Sequence, residues 1–183
     1  MQTINKKCYF VCCYFNPCNY QSRFLNFISF INSIREQNLN LLVVEAYQRN
    51  SKYRVDKLWE DVISINISDI YWMKEHLLNI GIKHILKKKP DYIGWLDCDI
   101  IVRDGFEENI IKAMQCNKVI QIFSDCKKMI NADSYQWKSS TCKLGETNNN
   151  ILTFLLNRIG EVGYGYVYDS MIFNELMLYD LAI

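Results

Sequence analysis

Neither sign of charge is in excess in this chain: 21 Lys and Arg stand against 20 Asp and Glu, for a net charge of +1. That balance removes any long-range pull toward nucleic acid or a membrane surface. No apolar stretch reaches the length needed to cross a bilayer. Seven glycines and two prolines are present, and none of the glycines falls into G-x-G-x-x-G, a phosphate-binding P-loop or G-x-S-x-G. Their absence argues against dinucleotide dehydrogenases, P-loop ATPases and α/β-hydrolases. No C-x-x-C pair occurs, which argues against a zinc site. The two histidines, His76 and His84, lie eight apart with no carboxylate at ligand spacing, and they read as surface or satisfied residues.

What is present is a chain of 183 residues, half of them apolar and 14% aromatic. That is enough for one domain with a real core, and the composition is not that of a disordered chain. No internal repeat or linker divides it, so residues 1–183 read as a single domain. Eight cysteines are present. Lys6-Lys7 precede only a short apolar run with no small-residue cleavage site, which does not read as a secretory leader. Cys8, Cys12, Cys98 and Cys126 lie in or beside apolar runs, where free cysteine packs as a small hydrophobe. The expectation is a reduced, cytoplasmic protein.

Along the chain, Lys7–Tyr14 reads as a strand ended by Asn16-Pro17. Gln21–Gln37 reads as a helix, with Phe24, Phe27, Ile28, Ile31 and Ile34 at helical spacing. Leu41–Val44 reads as a second parallel strand that ends at Glu45, and Val62–Ile67 as a third. Tyr71–Lys87 reads as a helix whose closing lysines suit the negative end of its dipole. A strand then carries Asp97 and Asp99, followed by a helix over Phe106–Cys116 and a strand over Val119–Phe123. From Ser124 to Asn150 the chain turns polar and reads as a long surface loop or lid. Ile151–Ile159 reads as a short helix or strand, Gly163–Tyr166 as a turn, and Asp169–Leu181 as a helix capped by Asp169 or Ser170. The order β-α-β-β-α-β-α-β predicts an open, mostly parallel α/β sheet with helices on both faces, with ligand at the carboxyl ends of its strands.

The residues that point to chemistry gather at those ends. The apolar run Tyr92-Ile93-Gly94-Trp95-Leu96 leads into Asp97-Cys98-Asp99 and then Ile100-Ile101-Val102. Burying carboxylates is unfavourable unless something pairs with them. A divalent cation carrying a diphosphate is one such partner, and hard oxygen ligands suit Mg²⁺ or Mn²⁺. Strand alternation would put both carboxylates on one side and Cys98 on the other. A carboxylate at Glu45 can accept from a nucleobase N–H or a ribose hydroxyl, or it is an ordinary loop residue. Lys74 can reach a phosphate, or it belongs to a solvated helix face. Gly163-Tyr164-Gly165-Tyr166 either presents aromatic faces to a sugar or forms a packed turn. A rival reading of D-x-D is that of haloacid-dehalogenase-type phosphatases, with Asp97 as nucleophile. Those enzymes place the motif on the first strand, whereas here it comes after about ninety residues.

Together these segments resemble a glycosyltransferase of the GT-A fold, the nucleotide-diphospho-sugar transferase class, and in particular uncharacterised bacterial and viral members. The resemblance is carried by Tyr14-Phe15-Asn16-Pro17 with Tyr20-x-Ser22-Arg23 and by Val43-Val44-Glu45. It continues through Trp72-x-Lys74-Glu75-x-x-Leu78-Asn79, Trp95-Leu96-Asp97-Cys98-Asp99-Ile100 and Gln121-x-Phe123-Ser124. It implies a GT-A, Rossmann-like sheet and a metal-dependent transfer of a sugar from a nucleotide-diphosphate donor to a glycan, protein or lipid-linked acceptor. It further implies that Tyr14, Phe15, Asn16 and Glu45 hold the nucleoside, and that Lys74 and Asn79 approach the ribose or diphosphate. Asp97 would contact the ribose, or the metal through water, and Asp99 would ligate Mn²⁺ or Mg²⁺ directly. Gly163, Tyr164 and Tyr166 resemble the family's acceptor-side segment. The family continues past a stretch like Leu178-Tyr179-Asp180 into a glycine-rich acidic segment, so the expectation is a chain short at its C-terminal side. The catalytic base is open among Asp125, Asp133 and Asp169. A nucleotide-sugar-binding protein without turnover is the other reading.

Overall fold

A computed structural model describes residues 7–71, 73–122, 125–131, 134–141 and 165–171. The elements run β1 (Cys8–Phe15), α1 (Gln21–Glu36), β2 (Asn40–Tyr47), β3 (Val62–Asn66), α2 (Lys74–Leu86), β4 (Tyr92–Leu96), α3 (Phe106–Met114) and β5 (Val119–Gln121), then β6 (Asp125–Asn131), β7 (Ser134–Thr141) and β8 (Gly165–Asp169). Through β5 this is the order expected from the sequence. Among the described residues the main sheet has six strands in the order β3-β2-β1-β4-β8-β5. β3, β2, β1 and β4 are mutually parallel, and β8 runs antiparallel between β4 and β5.

The strands are apolar on both faces because helices cover both. Phe10, Cys12 and Tyr14 of β1, with Leu41 and Val43 of β2, pack against Phe27, Phe30, Ile31 and Ile34 of α1 and Ile110 and Met114 of α3. Val11, Leu42, Val44, Ala46, Ile93 and Trp95 alternate to the other face, under Leu77, Leu78, Ile82 and Ile85 of α2. This period of two is why β1 and β2 read as unbroken apolar runs rather than alternating ones. Where β4 crosses behind Phe10, only glycine fits. A Cβ at Gly94 would lie 2.6 Å from the Phe10 ring and 3.0 Å from Val167. Gly94→Ala is therefore expected to cost about 1–3 kcal/mol through overpacking. Urea unfolding reads this directly, and unchanged stability would mean that the Phe10 ring can rotate away.

Four elements differ from the sequence expectation. β4 stops at Leu96, because both of its ladders end there: Cys12 of β1 and Gly165 of β8 are the last partners. Asp97 leaves the strand as irregular chain, Cys98-Asp99 is a turn, and Ile100–Val102 form no strand. β2 runs past Glu45 to Tyr47, since β3 pairs with it from Val43 to Tyr47. Within Ser124–Asn150, the expected loop is in part an antiparallel hairpin, β6 with β7, Met129 opposite Trp137. Gly165-Tyr166, read as turn, opens β8, while Gly163 and Tyr164 lie outside the described residues. Asp169 ends β8, and its Oδ1 accepts from the Met171 N–H at 3.0 Å, as an N-cap does. The rest of the helix expected to Leu181, and the segment Ile151–Ile159, lie outside the described residues.

Candidate functional site

The turn after β4 sits where the sheet's parallel strands deliver their carboxyl ends. Its three residues separate by environment: Cys98 is buried with Cys12 and Tyr14 on the α1 face, Asp97 is half-buried and Asp99 is exposed. Strand alternation does not place them, because they lie beyond the ladder.

Asp97 faces the first turn of α2. Lys74 Nζ donates to Asp97 Oδ1 at 2.5 Å and lies 4.9 Å from the centre of the Trp95 ring. Lys74 and Asp97 are 22% and 21% exposed, so the pair is partly shielded from solvent. Burial pushes the Asp97 carboxyl above its ordinary value; the Lys74 hydrogen bond and charge oppose this, and the Asp99 charge adds to it. A cleft of about 190 Å³ opens here, with Arg23, Lys74, Asp97 and Asp99 on its wall and Phe15, Met73 and Leu77 among its apolar lining. Cys13 and Cys98 also line it. Burial raises their thiols to about 11 and about 12, so both are neutral lining rather than nucleophiles.

Phe15, Lys74, Asp97 and Asp99 thus come together, joined by Arg23, which belongs to the Tyr20-x-Ser22-Arg23 segment of the resemblance but carried no expected role. Tyr14, Asn16 and Glu45 do not line this cleft. Tyr14 is buried under α1, its ring 5.0 Å from that of Phe27. Asn16 is also buried, and it clasps the loop: its amide donates to Tyr14 Oη and to the Tyr20 carbonyl, and its Oδ1 accepts from the Tyr20 N–H. Glu45 is 1% exposed. It accepts from Arg54 Nε at 3.0 Å, from the Val55 N–H at 2.8 Å and from the Ser64 hydroxyl at 2.8 Å. Those three donors explain how a carboxylate can sit inside a strand. Arg54 was not legible as its partner, because it lies nine positions on, beyond the end of β2 and a stretch of irregular chain. Asn79 is exposed on α2 and does not line the cleft.

Of the three aspartates considered as base, Asp169 pairs with Tyr92, at the opposite end of β4 from Asp97. Five strand residues, about 16 Å, separate those ends, so Asp169 is removed from this cleft. Asp125 opens β6, four residues after β5 ends on the same rim. Asp133 lies outside the described residues. β8 enters the sheet at Gly165 opposite Leu96, and Tyr166 opposes Trp95, so the described part of the segment expected on the acceptor side joins the sheet at the end of β4 that leads to Asp97. Two larger hollows lie away from this turn. One, of about 530 Å³, lies at the ends of β2 and β3 by Gln48–Asn50 and Asn66–Ser68. The other, of about 490 Å³, is at the opposite end of the sheet, where Lys88 is already paired with Asp61.

The donor chemistry suits a hard dication. Among the described residues no group of three or more His, Cys, Asp and Glu is arranged to hold a metal. Mg²⁺ and Mn²⁺ in nucleotide sites need less: one or two carboxylates, with phosphate oxygens and water completing the shell. Asp99 has no hydrogen-bond partner among the described residues, and Asp97 keeps Oδ2 uncommitted. Separately, no helix among the described residues is long and apolar enough to cross a membrane, and the six described cysteines are free thiols.

No protein-family model matches the sequence, and no curated protein matches it. Solved structures match its fold. 4-Diphosphocytidyl-2C-methyl-D-erythritol synthase from Anaerococcus prevotii superposes with a TM-score of 0.53 at 10% identity, covering 97% of this chain and 76% of that one. S. aureus TarS 1–349 gives 0.55 at 9% identity, over 93% of this chain and 49% of the other, so this chain spans about half of it. A further 4-diphosphocytidyl-2C-methyl-D-erythritol synthase gives 0.50 at 10% identity, over 99% and 81%. At such identities the likeness is one of fold: an α/β sheet of GT-A and nucleotidyltransferase type.

Proposed function

We propose that this chain is a metal-dependent transferase that moves a sugar from a nucleotide-diphosphate donor to an acceptor hydroxyl. One observation carries the proposal: the Asp97-Cys98-Asp99 turn, at the carboxyl end of β4, faces Lys74 and Arg23 across one cleft. Two cations and two carboxylates lining one cleft suit a diphosphate held with Mn²⁺ or Mg²⁺.

In this reading Asp99 is the direct metal ligand, and Asp97 acts beside it or on the ribose. A bound dication supplies charge to stabilise the leaving nucleoside diphosphate. Lys74 and Arg23 hold the phosphate oxygens, Phe15 lines the nucleoside side, and Tyr14 and Asn16 shape the loop that carries it. Glu45 acts through Arg54 and the β2–β3 connection, and Asn79 contributes from the outer face of α2. The acceptor oxygen bonds to the anomeric carbon as the bond from that carbon to the diphosphate breaks. The acceptor proton passes to a carboxylate on the acceptor side, for which Asp125 and Asp133 are the candidates. Gly163, Tyr164 and Tyr166 keep the acceptor-side role that the resemblance implies for them. The acceptor is a glycan, protein or lipid-linked hydroxyl, and the enzyme is cytoplasmic.

The test is a thermal-shift screen of UDP-, GDP-, CMP- and dTDP-sugars, each with and without Mn²⁺. One donor should raise the melting point only with metal, by about 2.7 kcal/mol of linkage at a hundred times its Kd. Two of the fold neighbours are named for a diphosphocytidyl product, which favours one second reading, the joining of a nucleotide to a phosphorylated substrate. In that case CTP gives the metal-dependent shift and no nucleotide sugar does. Binding without transfer or donor hydrolysis would leave a binding protein. No shift, with Mg²⁺-dependent turnover of simple phosphate esters, would move Asp97 to the phosphatase role.

A further inference from the structure

We infer that Lys74 is a tethered cation competing with the divalent metal for Asp97, so that metal enters the cleft together with the donor's diphosphate and not ahead of it. The inference deepens the reading above and rests on it for the diphosphate.

Lys74 is the first residue of α2, and no side chain caps that end. The first turn of a helix presents unbonded N–H groups and the positive end of its dipole, so a lysine is disfavoured there. Here Asp97 Oδ1 at 2.5 Å and the face of Trp95 at 4.9 Å hold its ammonium instead. Both members of the pair are about four-fifths covered, so water and salt screen them less than a surface pair. Asp99 is the turn's open carboxylate, exposed and without a hydrogen-bond partner among the described residues. A bare dication therefore meets one open carboxylate and a second one already neutralised by a neighbouring ammonium that repels it. A diphosphate changes both terms. Its oxygens complete the metal's shell, and they draw Lys74, on its flexible four-carbon stem, away from Asp97 toward phosphate beside Arg23.

The experiment measures Mn²⁺ binding by electron paramagnetic resonance, with Mn²⁺ alone and with Mn²⁺ plus inorganic pyrophosphate as the diphosphate probe. Wild type is compared with Lys74→Met, Asp97→Asn and Asp99→Asn, each checked for a folded melting transition. Removing the competing cation should tighten Mn²⁺ alone at least about tenfold in Lys74→Met, while Mn²⁺–pyrophosphate binds more weakly. Opposite signs in the two arms are the signature, because a merely structural lysine would move both the same way. Asp97→Asn should leave Mn²⁺ alone within about twofold and weaken Mn²⁺–pyrophosphate, whereas Asp99→Asn should weaken both. Unchanged or weaker Mn²⁺ binding in Lys74→Met overturns the inference. Should that variant fail to fold, a large loss of Mn²⁺ alone in Asp97→Asn overturns it equally. Failure of the functional reading looks different. If nucleotide sugars give no shift while Lys74→Met still binds Mn²⁺ more tightly, the transferase proposal falls and the competition stands.

Discussion

Asp99→Ala is expected to abolish the metal-dependent shift given by the donor and to lower donor turnover at least about a hundredfold, since the charge on the leaving diphosphate would lose its main stabiliser. The residue is exposed on a turn and bonded to nothing else among the described residues. Its removal should therefore leave the melting point of the protein alone nearly unchanged, within the range of ordinary surface substitutions. That separation of function from stability makes the experiment informative. Donor hydrolysis reads turnover without knowledge of the acceptor, and calorimetry with Mn²⁺ reads binding. Retained affinity for the donor–Mn²⁺ pair would remove Asp99 from the site, and with it the reason for a metal at this turn.

Glu45→Ala is expected to show the opposite pattern: a large loss of stability, about 3–5 kcal/mol, as for breaking a buried ion pair by removing one partner. The substitution would strand the buried Val55 N–H, the Arg54 guanidinium and the Ser64 hydroxyl, all of which now reach the Glu45 carboxylate. Arg54 would keep Asp56 at 2.8 Å and the Tyr47 ring at 3.5 Å, so its loss is only partial. Glu45→Gln should fall between, because it keeps an acceptor for the Val55 N–H without the charge. Urea unfolding measures the cost, and donor affinity measured on the same variants separates the two roles proposed for this position. Unchanged stability with lost affinity would show that the carboxylate serves the nucleoside directly. Lost stability, with affinity falling only as the β2–β3 connection loosens, is the expected result.

Glu45 and Asp97 also show where sequence reading reaches and where it stops. Both follow aliphatic runs, and both read as carboxylates at strand ends. For Asp97 this holds, because the ladders on both sides of β4 finish at Leu96. Glu45 instead lies inside β2, since β3 continues the pairing to Tyr47 and three donors satisfy the carboxylate. No pattern in the sequence separates the two cases, because strand length is decided by the neighbouring strand. The hairpin of β6 and β7 was hidden for a related reason. Ser134-Tyr135-Gln136-Trp137-Lys138 does alternate, but over only five residues of a polar stretch, while Asp125–Asn131 does not, and a strand is settled by the partner it pairs with.

By itself, the sequence determined the order of elements through β5, the parallel α/β class and the end of a buried strand at Asp97-Cys98-Asp99, though not that these residues lie beyond the ladder. Each of these follows from local signals: apolar runs of strand length, helical spacing and punctuation by proline and polar residues. Only the tertiary structure decided which candidates share a cleft. Alternation along β1 sends Tyr14 under α1 and leaves Phe15 beside Lys74. Packing of α2 on the second face brings Lys74 to Asp97, a residue 23 positions away. Antiparallel insertion of β8 places Tyr166 near that turn and Asp169 at the far end of β4. These placements depend on which face each helix covers and on the direction in which each strand enters the sheet, quantities that side-chain spacing along one segment does not contain.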